Sequence, residues 1–140
     1  MTERILIDTG PLVAIFSEED QHHELCGDAL RVLTTPFFTC WPVITEAAWL
    51  LRKRPDTLAC LFASVNKGFF ALLPLEAEDL TAIAAMIRRY ESAGLQLADA
   101  ALAHLAEREN IRTVFTTDRR DFSIIRLKRN RSLRLIPDVS

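Results

Sequence analysis

Short apolar runs alternate with helical segments along this chain, and this alternation limits the fold more than any other feature of the sequence. Runs of four or five residues that resemble buried strands occur at positions 4–7, 37–40, 69–73, 112–116 and 133–136. Apolar residues spaced three or four apart predict helices at 12–16, 22–33, 42–54, 76–90 and 97–110. Because strands separated by helices pair in parallel, we predict a three-layer α/β fold with a central, mostly parallel sheet of four or five strands.

Proline and polar residues set the expected limits of the helices. Pro55 is predicted to interrupt the segment that ends at residue 54, and Asp56 or Thr57 to cap a further helix running to about residue 66. Gly94 is predicted to close the helix at 76–90. That helix is expected to turn one apolar face inward, formed by Leu80, Ile83, Ala84 and Ile87.

The composition predicts one globular domain spanning residues 1–140. Hydrophobic residues make up 49% of the chain, which is enough to bury a core without disulfides. The cysteines are odd in number and lack a C-x-x-C spacing, so we expect free thiols at Cys26, Cys40 and Cys60. The sequence shows no signal peptide and no apolar run of the roughly 18 residues that span a membrane, so we expect a cytoplasmic protein without membrane contact.

Charge is distributed unevenly along the sequence. The formal net charge is −2, but positions 112–140 contain eight basic residues and three acidic ones. This segment therefore has a net charge of +5, which leaves −7 for the preceding part of the chain. Such a basic end on an acidic protein favours contact with a polyanion, although a solvated basic tail would give the same count.

Four carboxylates are predicted to meet at one edge of the sheet. Asp8 follows the first predicted strand and Asp118 follows the fourth, and open parallel sheets place their sites at the carboxyl ends of strands. Glu46 and Asp99 lie near the start of helices that would begin at the same edge. Asp121 follows Asp118 by three residues and could join the group.

Clustered carboxylates repel one another, so a cation should hold them together. The sequence places no lysine or histidine obviously among them, and Mg²⁺ or Mn²⁺ is the natural candidate because both prefer oxygen ligands. This donor set favours metal-assisted cleavage of a phosphodiester bond. Each acid also has a structural alternative, because Asp8 and Asp118 could cap helices or turns, and Glu46 and Asp99 could interact with helix dipoles.

Two other uses of an aspartate after the first strand do not fit this sequence. Asp8-Thr9-Gly10 is also the triplet of aspartic proteases, but that class needs an all-β fold and two such aspartates. A phosphatase with a nucleophilic aspartate would want a second acid two residues further on, where this chain has Gly10. The helices predicted downstream also disagree with the all-β fold of an aspartic protease.

Four short motifs surround the predicted acids and follow one another from residue 5 to residue 122. They are Ile5-Leu6-Ile7-Asp8-Thr9-Gly10-Pro11-Leu12, Thr45-Glu46, Leu97-Ala98-Asp99-Ala100-Ala101-Leu102 and Val114-Phe115-Thr116-Thr117-Asp118-Arg119-Arg120-Asp121-Phe122. In order and spacing the chain resembles the PIN-domain family, in particular bacterial VapC-type toxins. The last motif is close to that family's T-x-D-x-x-D-F pattern at a strand end.

The resemblance implies a PIN-like fold and a Mg²⁺- or Mn²⁺-dependent endoribonuclease. It implies that the metal ligands, which are also the catalytic residues, are Asp8, Glu46, Asp99 and Asp118. Asp121 would contribute from outside this set or at a second metal. Thr9, Thr116 and Thr117 would orient ligands or substrate. The RNA contacts are expected from Arg119, Arg120, Arg126, Lys128 and Arg129, with the segment 52–54 as another basic patch.

The resemblance also implies partners. It predicts a homodimer and a cognate antitoxin whose peptide blocks the site, so that the chain would be the toxin of a toxin–antitoxin pair. An apolar surface formed by Trp49, Leu50, Leu58 and Phe62 could serve either partner, or could be ordinary core. The alternative function is a PIN-like module that binds RNA or protein without cutting.

Overall fold

The computed structural model describes residues 3–34 and 36–138, and these residues form seven helices and seven strands. The first part of the chain contains β1 (Ile5–Ile7), α1 (Thr9–Phe16), α2 (His23–Val32), β2 (Phe37–Thr39), α3 (Trp41–Leu50) and α4 (Pro55–Asn66). The second part contains β3 (Phe70–Leu72), α5 (Leu80–Arg89), α6 (Leu97–Glu109), β4 (Thr113–Phe115), α7 (Arg119–Ser123), β5 (Arg126–Leu127), β6 (Arg131–Ser132) and β7 (Arg134–Ile136).

Five strands form one parallel sheet in the order β3-β2-β1-β4-β7. β1 lies at its centre, where Ile5 pairs with Phe37 of β2 on one side and with Thr113 of β4 on the other. Every residue of β1 and β4 is buried, as expected of strands in a sheet covered on both faces. The predicted α/β fold with a mostly parallel central sheet is confirmed.

The helix α6 is buried around most of its circumference. Leu102 and Leu105 are fully buried, and so are four of its alanines. A helix that is apolar on nearly every side belongs in the interior, and α6 contacts α3, α5 and β5. Among the described residues, no helix is both long and apolar enough to cross a membrane.

The boundary between α3 and α4 differs from the prediction. The helix α3 ends at Leu50 rather than at Arg54, and a turn follows it. Pro55 does not interrupt a helix but begins α4, with Arg54 as the N-cap residue, so the predicted cap at Asp56 or Thr57 was wrong. A proline suits the first turn because the N–H it lacks would have no partner within the helix there.

The apolar face of α5 is narrower than predicted. Ile83 is buried, and Ile87 packs partly against the core as expected. Leu80 is 59% exposed and Ala84 is exposed, so their assignment to the inward face was wrong. Leu80 is the first residue of the helix and no neighbouring element covers it, whereas the residues one turn further on pack against α6.

Asp79 joins the start of α5 to α6. Its Oδ1 accepts a hydrogen bond from Nε2 of His104 (2.7 Å), and Nη1 of Arg108 lies 3.2 Å from both carboxylate oxygens. The backbone N–H of Glu76 donates to Oδ2 (2.7 Å). This backbone bond, followed by His104 and Arg108, lowers the pKa of Asp79 to about 2. The carboxylate therefore stays ionised and holds the two helices together.

The strands β5 and β6 form a small antiparallel hairpin that the sequence analysis did not predict. Each strand has two residues, which is too short for an alternating pattern to be recognised. The turn between them contains Arg129 and Asn130, both with positive φ (65° and 58°). The hairpin lies beside α6, where the carboxylate of Glu107 accepts the backbone N–H of Lys128 (2.5 Å).

Candidate active site

The two strands at the centre of the sheet each deliver an aspartate to the same edge. Ile7 of β1 is in register with Phe115 of β4, and the backbone N–H of Asp8 donates to the carbonyl of Phe115 (3.0 Å). Asp8 is the N-cap residue of α1, and Asp118 is the N-cap residue of α7. Both carboxylates therefore lie at the carboxyl ends of adjacent parallel strands, where open α/β sheets bind ligands.

An open pocket of about 360 Å³ lies at this edge of the sheet. Glu46 reaches it from α3 and Asp99 from the first turn of α6, and α3 and α6 contact each other. The structure thus brings all five acids singled out in the sequence to one pocket. Its lining consists of Asp8, Thr9, Gly10, Glu46, Leu50, Gly94, Gln96, Asp99, Thr117, Asp118 and Asp121.

Thr116 links the two aspartates from behind the pocket. Its buried hydroxyl donates to Oδ2 of Asp8 (2.9 Å) and accepts the backbone N–H of Asp118 (2.9 Å). One side chain therefore orients the carboxylate that follows β1 and fixes the turn that follows β4. The carboxylate of Asp118 accepts the backbone N–H of Asp121 (3.4 Å). Asp118 therefore caps α7, as its structural alternative predicted, and also lines the pocket.

Two further threonines take different positions around the pocket. Thr9 is 3% exposed, and within residues 3–34 and 36–138 its hydroxyl finds no hydrogen-bond partner. Buried hydroxyls in proteins are usually hydrogen-bonded, so this one is available to a bound water or ligand. Thr117 lies against Gly10, where a Cβ would overlap the Thr117 hydroxyl oxygen. The glycine therefore permits the close approach of α1 to the loop after β4.

The electrostatic environment of Asp8 opposes its ionisation. Burial raises the pKa of Asp8 from 3.8 to about 7, and the negative charges of Asp99 and Glu46 contribute to the rise. Hydrogen bonds from the backbone N–H of Thr9 and the hydroxyl of Thr116 act in the opposite direction. In the metal-free protein this carboxyl group therefore titrates near neutral pH.

The same physical causes act on two other acids of the pocket. Burial raises the pKa of Asp99 from 3.8 to about 6, and the charges of Asp121, Asp118 and Glu46 contribute. Burial and the neighbouring Asp118 raise the pKa of Asp121. No basic side chain occurs among the described residues that line the pocket. The pocket is thus a set of carboxylates that repel one another and lack a counter-charge.

The donor set fits a hard divalent cation. All five charged side chains offer carboxylate oxygens, which Mg²⁺ and Mn²⁺ prefer, and a cation would offset the repulsion that, beside burial, contributes to the raised pKa values of Asp8, Asp99 and Asp121. Among the described residues, no group of three or more His, Cys, Asp or Glu side chains is already arranged to hold a metal ion. Mg²⁺ commonly keeps several of its waters, so direct contact with every carboxylate is not required.

The basic residues predicted to bind RNA lie on α7 and the hairpin. Nη1 of Arg119 donates to the carbonyls of Leu135 and Pro137 (3.2 and 3.0 Å), which attaches its guanidinium to the end of β7. Arg120 is exposed on α7. The remaining three residues predicted for RNA binding belong to the hairpin segment and are Arg126, Lys128 and Arg129.

The sequence analysis missed part of the pocket lining. Gly94 and Gln96 come from the loop between α5 and α6, and Leu50 comes from the last turn of α3. Gly94 has a left-handed conformation (φ 72°) and ends a short 3-10 turn at Glu91–Ala93. The helix α5 already ends at Arg89, so the prediction that Gly94 closes the helix at 76–90 was wrong. The cysteines are free thiols as predicted, with Cys26 and Cys40 buried and Cys60 exposed.

The fold and the site define a class of α/β protein in which a parallel sheet presents a carboxylate-lined pocket at its carboxyl edge. A model of the PIN domain family matches residues 5–128 of the chain. The chain belongs to the PIN domain family.

Proteins of known identity show the same relationship. Ribonuclease VapC26 of Mycobacterium tuberculosis is 27% identical over 124 residues, which cover 87% of this chain and 92% of that protein. The crystal structure of VapC20 from the same organism, a toxin that cleaves the sarcin–ricin loop, has a TM-score of 0.77 at 15% identity and covers 83% of this chain and 91% of its own.

VapBC2 of Rickettsia felis, solved bound to a DNA fragment from its promoter, is a further structural neighbour. Its TM-score is 0.61 at 16% identity, with coverage of 95% of this chain and 97% of that chain. At such low identities the two structural similarities establish a shared fold.

Proposed function

We propose that the chain is a Mg²⁺- or Mn²⁺-dependent endoribonuclease that hydrolyses phosphodiester bonds of RNA. The observation that carries this proposal is the pocket of five carboxylates without a basic side chain, built around the ends of β1 and β4. Membership of the PIN domain family and similarity to Ribonuclease VapC26 support RNA as the substrate. The proposal treats residues 1–140 as one domain.

The proposed metal ligands and catalytic residues are Asp8, Glu46, Asp99 and Asp118, with Asp121 beside them. A divalent metal bound there would lower the pKa of a coordinated water and stabilise charge on the leaving oxygen. The hydroxyl of Thr116 donates to Oδ2 of Asp8 and so favours one orientation of this carboxylate, which lines the pocket. The unpaired hydroxyl of Thr9 and the side chain of Thr117 are positioned to orient the substrate or its water.

The basic residues of α7 and of the hairpin are proposed to contact the RNA backbone. Arg120 on α7 and Arg129 at the hairpin turn are exposed, and Arg119 keeps part of its guanidinium for a ligand while it holds β7. Arg126 and Lys128 complete the proposed set. Phosphate contacts of this kind give affinity that falls with salt but little sequence preference.

We further propose that the chain is the toxin of a type II toxin–antitoxin pair, that it forms a homodimer and that it acts in the cytoplasm. Trp49 and Phe62 are 63% and 45% exposed, and Leu50 is 54% exposed, whereas Leu58 packs against the core. Exposed apolar residues grouped on neighbouring helices are typical of interaction surfaces. They favour a protein partner at α3 and α4, as does similarity to VapBC2.

The first test is a calorimetric titration with Mn²⁺, which needs no knowledge of the RNA sequence. The wild type should bind Mn²⁺ saturably, and Asp99→Asn should lose most of that binding while it keeps its circular dichroism spectrum. Glu18→Gln removes an exposed acid outside the pocket and is the matched control. A wild type that binds no Mn²⁺ either alone or with a non-cleavable RNA would contradict the proposal.

The second test separates the nuclease from the alternative function, a module that binds RNA or protein without cutting. Purified wild type should fragment total RNA in Mn²⁺, with activity lost in EDTA and in Asp99→Asn. A protein that binds RNA in both forms but leaves it intact would support the non-catalytic module. Because Asp99→Asn keeps the shape of the pocket, lost cleavage with retained fold assigns the effect to the carboxylate.

A further inference from the structure

A second cavity, of about 290 Å³, lies between α5 and the β5–β6 hairpin, with residues of α6 beside it. We call it the hairpin groove and define it by Met86, Arg89, Glu107, Arg126, Leu127 and Lys128. It shares no lining residue with the acidic pocket. Apolar residues and four charged side chains line the groove. Three of the four are cationic, namely Arg89, Arg126 and Lys128, and the fourth is Glu107.

The cations of the hairpin groove are not neutralised within the protein. In the part of the chain that the structure describes, Arg89, Arg126 and Lys128 form no ion pair with a carboxylate. The acid on the rim, Glu107, accepts the backbone N–H of Lys128 and pairs with Arg131 (3.4 Å). Other arginines on the surface do have acidic partners, namely Arg31, Arg54, Arg108, Arg131 and Arg134.

The remaining titratable side chain at the groove is also engaged elsewhere. His104 lines the cavity, but its Nε2 donates to Asp79, which also pairs with Arg108. Glu107 and Asp79 each pair with another arginine. Neither carboxylate therefore balances the charges of the three groove cations. The groove is therefore a positive surface rather than one side of an internal salt-bridge network.

Two of the cations are held in place before any ligand arrives. Nη1 of Arg126 donates to the carbonyls of Ser123 and Ile125 (2.8 and 3.0 Å), and its backbone N–H donates to the Tyr90 hydroxyl (2.9 Å). The guanidinium of Arg89 lies over the ring of the same tyrosine, 5.3 Å from its centroid. Side chains ordered in advance lose less entropy on binding, which favours a specific contact over a mobile counter-ion surface.

We propose that the hairpin groove binds the phosphate backbone of single-stranded RNA, so that a strand in the acidic pocket is also held at a second place. The choice of RNA as the polyanion rests on the function proposed above. The loop that follows α5 connects the two sites, because Arg89 lines the groove while Gly94 and Gln96 line the acidic pocket. A strand that crosses this loop would reach the cations directly after leaving the carboxylates.

Charge complementarity favours a phosphate polymer over an acidic protein segment. A peptide rich in Asp and Glu would suit the groove, but the five carboxylates of the neighbouring pocket would repel it. A phosphodiester chain suits both surfaces, because its phosphates bind a metal among carboxylates and also accept paired hydrogen bonds from arginine. The groove also gives no base-specific partners, so we expect affinity without strong sequence preference.

The test measures binding of a fluorescein-labelled single-stranded RNA of mixed sequence by anisotropy, in EDTA so that cleavage cannot occur. Arg89→Glu with Lys128→Glu is compared with Lys67→Glu with Arg112→Glu. The control pair changes the net charge equally, and both of its residues are exposed just before strands, at the sheet edge opposite the pocket. Arg89→Ala with Lys128→Ala repeats the test without new negative charges.

The groove variants should weaken binding roughly tenfold and reduce the slope of log affinity against log salt by about 1.4, since each phosphate contact on a single strand contributes about 0.7. The control pair should stay within about twofold of the wild type at the same salt. Equal losses in both pairs, or no loss in the groove variants, would overturn the proposal. The proposal would also be overturned if poly-glutamate displaced the labelled RNA as effectively as unlabelled RNA does at equal charge.

The outcome is independent of whether the protein cuts RNA. The exposed Glu18→Gln, which lies outside both the pocket and the groove, should bind the labelled RNA in EDTA as the wild type does. Loss of binding in the groove variants of a protein that never cleaves RNA would leave the groove established and the nuclease proposal rejected. If the wild type cleaves RNA but the groove variants bind RNA normally, the nuclease proposal is supported and the groove proposal is rejected.

Discussion

At the scale of single residues, Asp8 is the most buried of the five acids that line the pocket, and burial opposes its ionisation. It is 5% exposed, and burial is the main cause that raises its pKa to about 7. The folded protein therefore binds this proton more tightly than the unfolded chain, whose carboxyl group titrates near 3.8. The contribution of Asp8 to the stability of the metal-free protein therefore falls as the pH rises from about 4 to about 7.

We expect Asp8→Asn to stabilise the metal-free protein at pH 8, because the variant removes a buried charge. A pKa change of this size corresponds to a gain on the order of 2–4 kcal/mol. The gain should shrink towards pH 4, where Asp8 is protonated. Thermal unfolding in EDTA at several pH values measures it, with the exposed Glu18→Gln as control. If the variant were less stable than the wild type at pH 8, the hydrogen bonds to the Asp8 carboxylate would contribute more to stability than its burial as a charge costs.

We expect Thr116→Val to disturb both strand ends at once. The variant keeps the shape of the side chain but loses the bonds to the Asp8 carboxylate and to the backbone N–H of Asp118. Stability should fall by about 1–3 kcal/mol because the buried Asp8 carboxylate loses a donor and the backbone N–H of Asp118 loses its acceptor. Mn²⁺ affinity should fall as well, since Asp8 loses its fixed orientation. Thr116→Ser keeps the hydroxyl and should restore most of both, as unfolding and calorimetry would show.

The positions of the acids could be predicted because strand ends are visible in the sequence. Asp8 and Asp118 directly follow β-branched or aromatic runs, and the parallel topology fixes where such residues meet. Thr116 was identified through the resemblance, but its bonds to two different elements depend on the pairing of β1 with β4. Lining residues on loops, such as Gln96, have no periodic signal and were not found.

At the scale of secondary-structure elements, the pair α5 and α6 depends on the ionised carboxylate of Asp79. The pKa of this group is lowered to about 2, chiefly by the backbone N–H of Glu76 and the side chain of His104. A lowered folded-state pKa contributes stability that is present above the unfolded value of 3.8 and is lost as the pH falls through about 2.

Asp79→Asn should therefore lower the melting temperature at pH 7, and the difference from the wild type should narrow between pH 4 and pH 2. The amide cannot accept from His104, Arg108 and the Glu76 backbone together as the carboxylate does. Glu78→Gln, an exposed neighbour in the same turn, serves as the control. A pH-independent difference would show that the loss is one of packing and not of charge.

Elements with a long apolar period were predicted well, and those without one were not. The helix α6 and the strands β1 and β4 are close to their predicted ranges because burial on several sides produces continuous apolar sequence. The hairpin of β5 and β6 escaped prediction because its residues are mostly arginine and lysine and its form depends on contacts with α6. The predicted end of α3 was wrong because a proline such as Pro55 can either interrupt a helix or occupy the first turn of the next one.

At the scale of the whole molecule, acidic and basic side chains from different parts of the sequence are sorted by the fold onto two separate surfaces. The acidic pocket lies at the carboxyl edge of the sheet, and the basic hairpin groove lies along the flank formed by α5 and the hairpin. A divalent metal bound in the pocket would offset part of the negative charge of the first surface and leave the second unchanged. The net charge of −2 conceals this arrangement.

Mn²⁺ should raise the melting temperature of the wild type and have little effect on Asp99→Asn. A ligand at a hundred times its dissociation constant stabilises a protein by about 2.7 kcal/mol. The increase should be larger at pH 8 than at pH 5.5, because the metal competes with protons on Asp8 and Asp99, whose pKa values are raised. Thermal scans with Mn²⁺ and EDTA at both pH values test this, and an equal shift in Asp99→Asn would place the metal elsewhere.

The pairing of β1 with β4 also determines when the pocket can exist during synthesis. Asp8 leaves the ribosome early, whereas Thr116, which holds its carboxylate, follows 108 residues later. A nascent chain therefore carries the first aspartate through most of translation without the strand that completes the pocket. Nearly all strands of the sheet are therefore synthesised before the metal-binding site can form. For most of translation, the nascent chain carries no complete site next to the RNA of the ribosome.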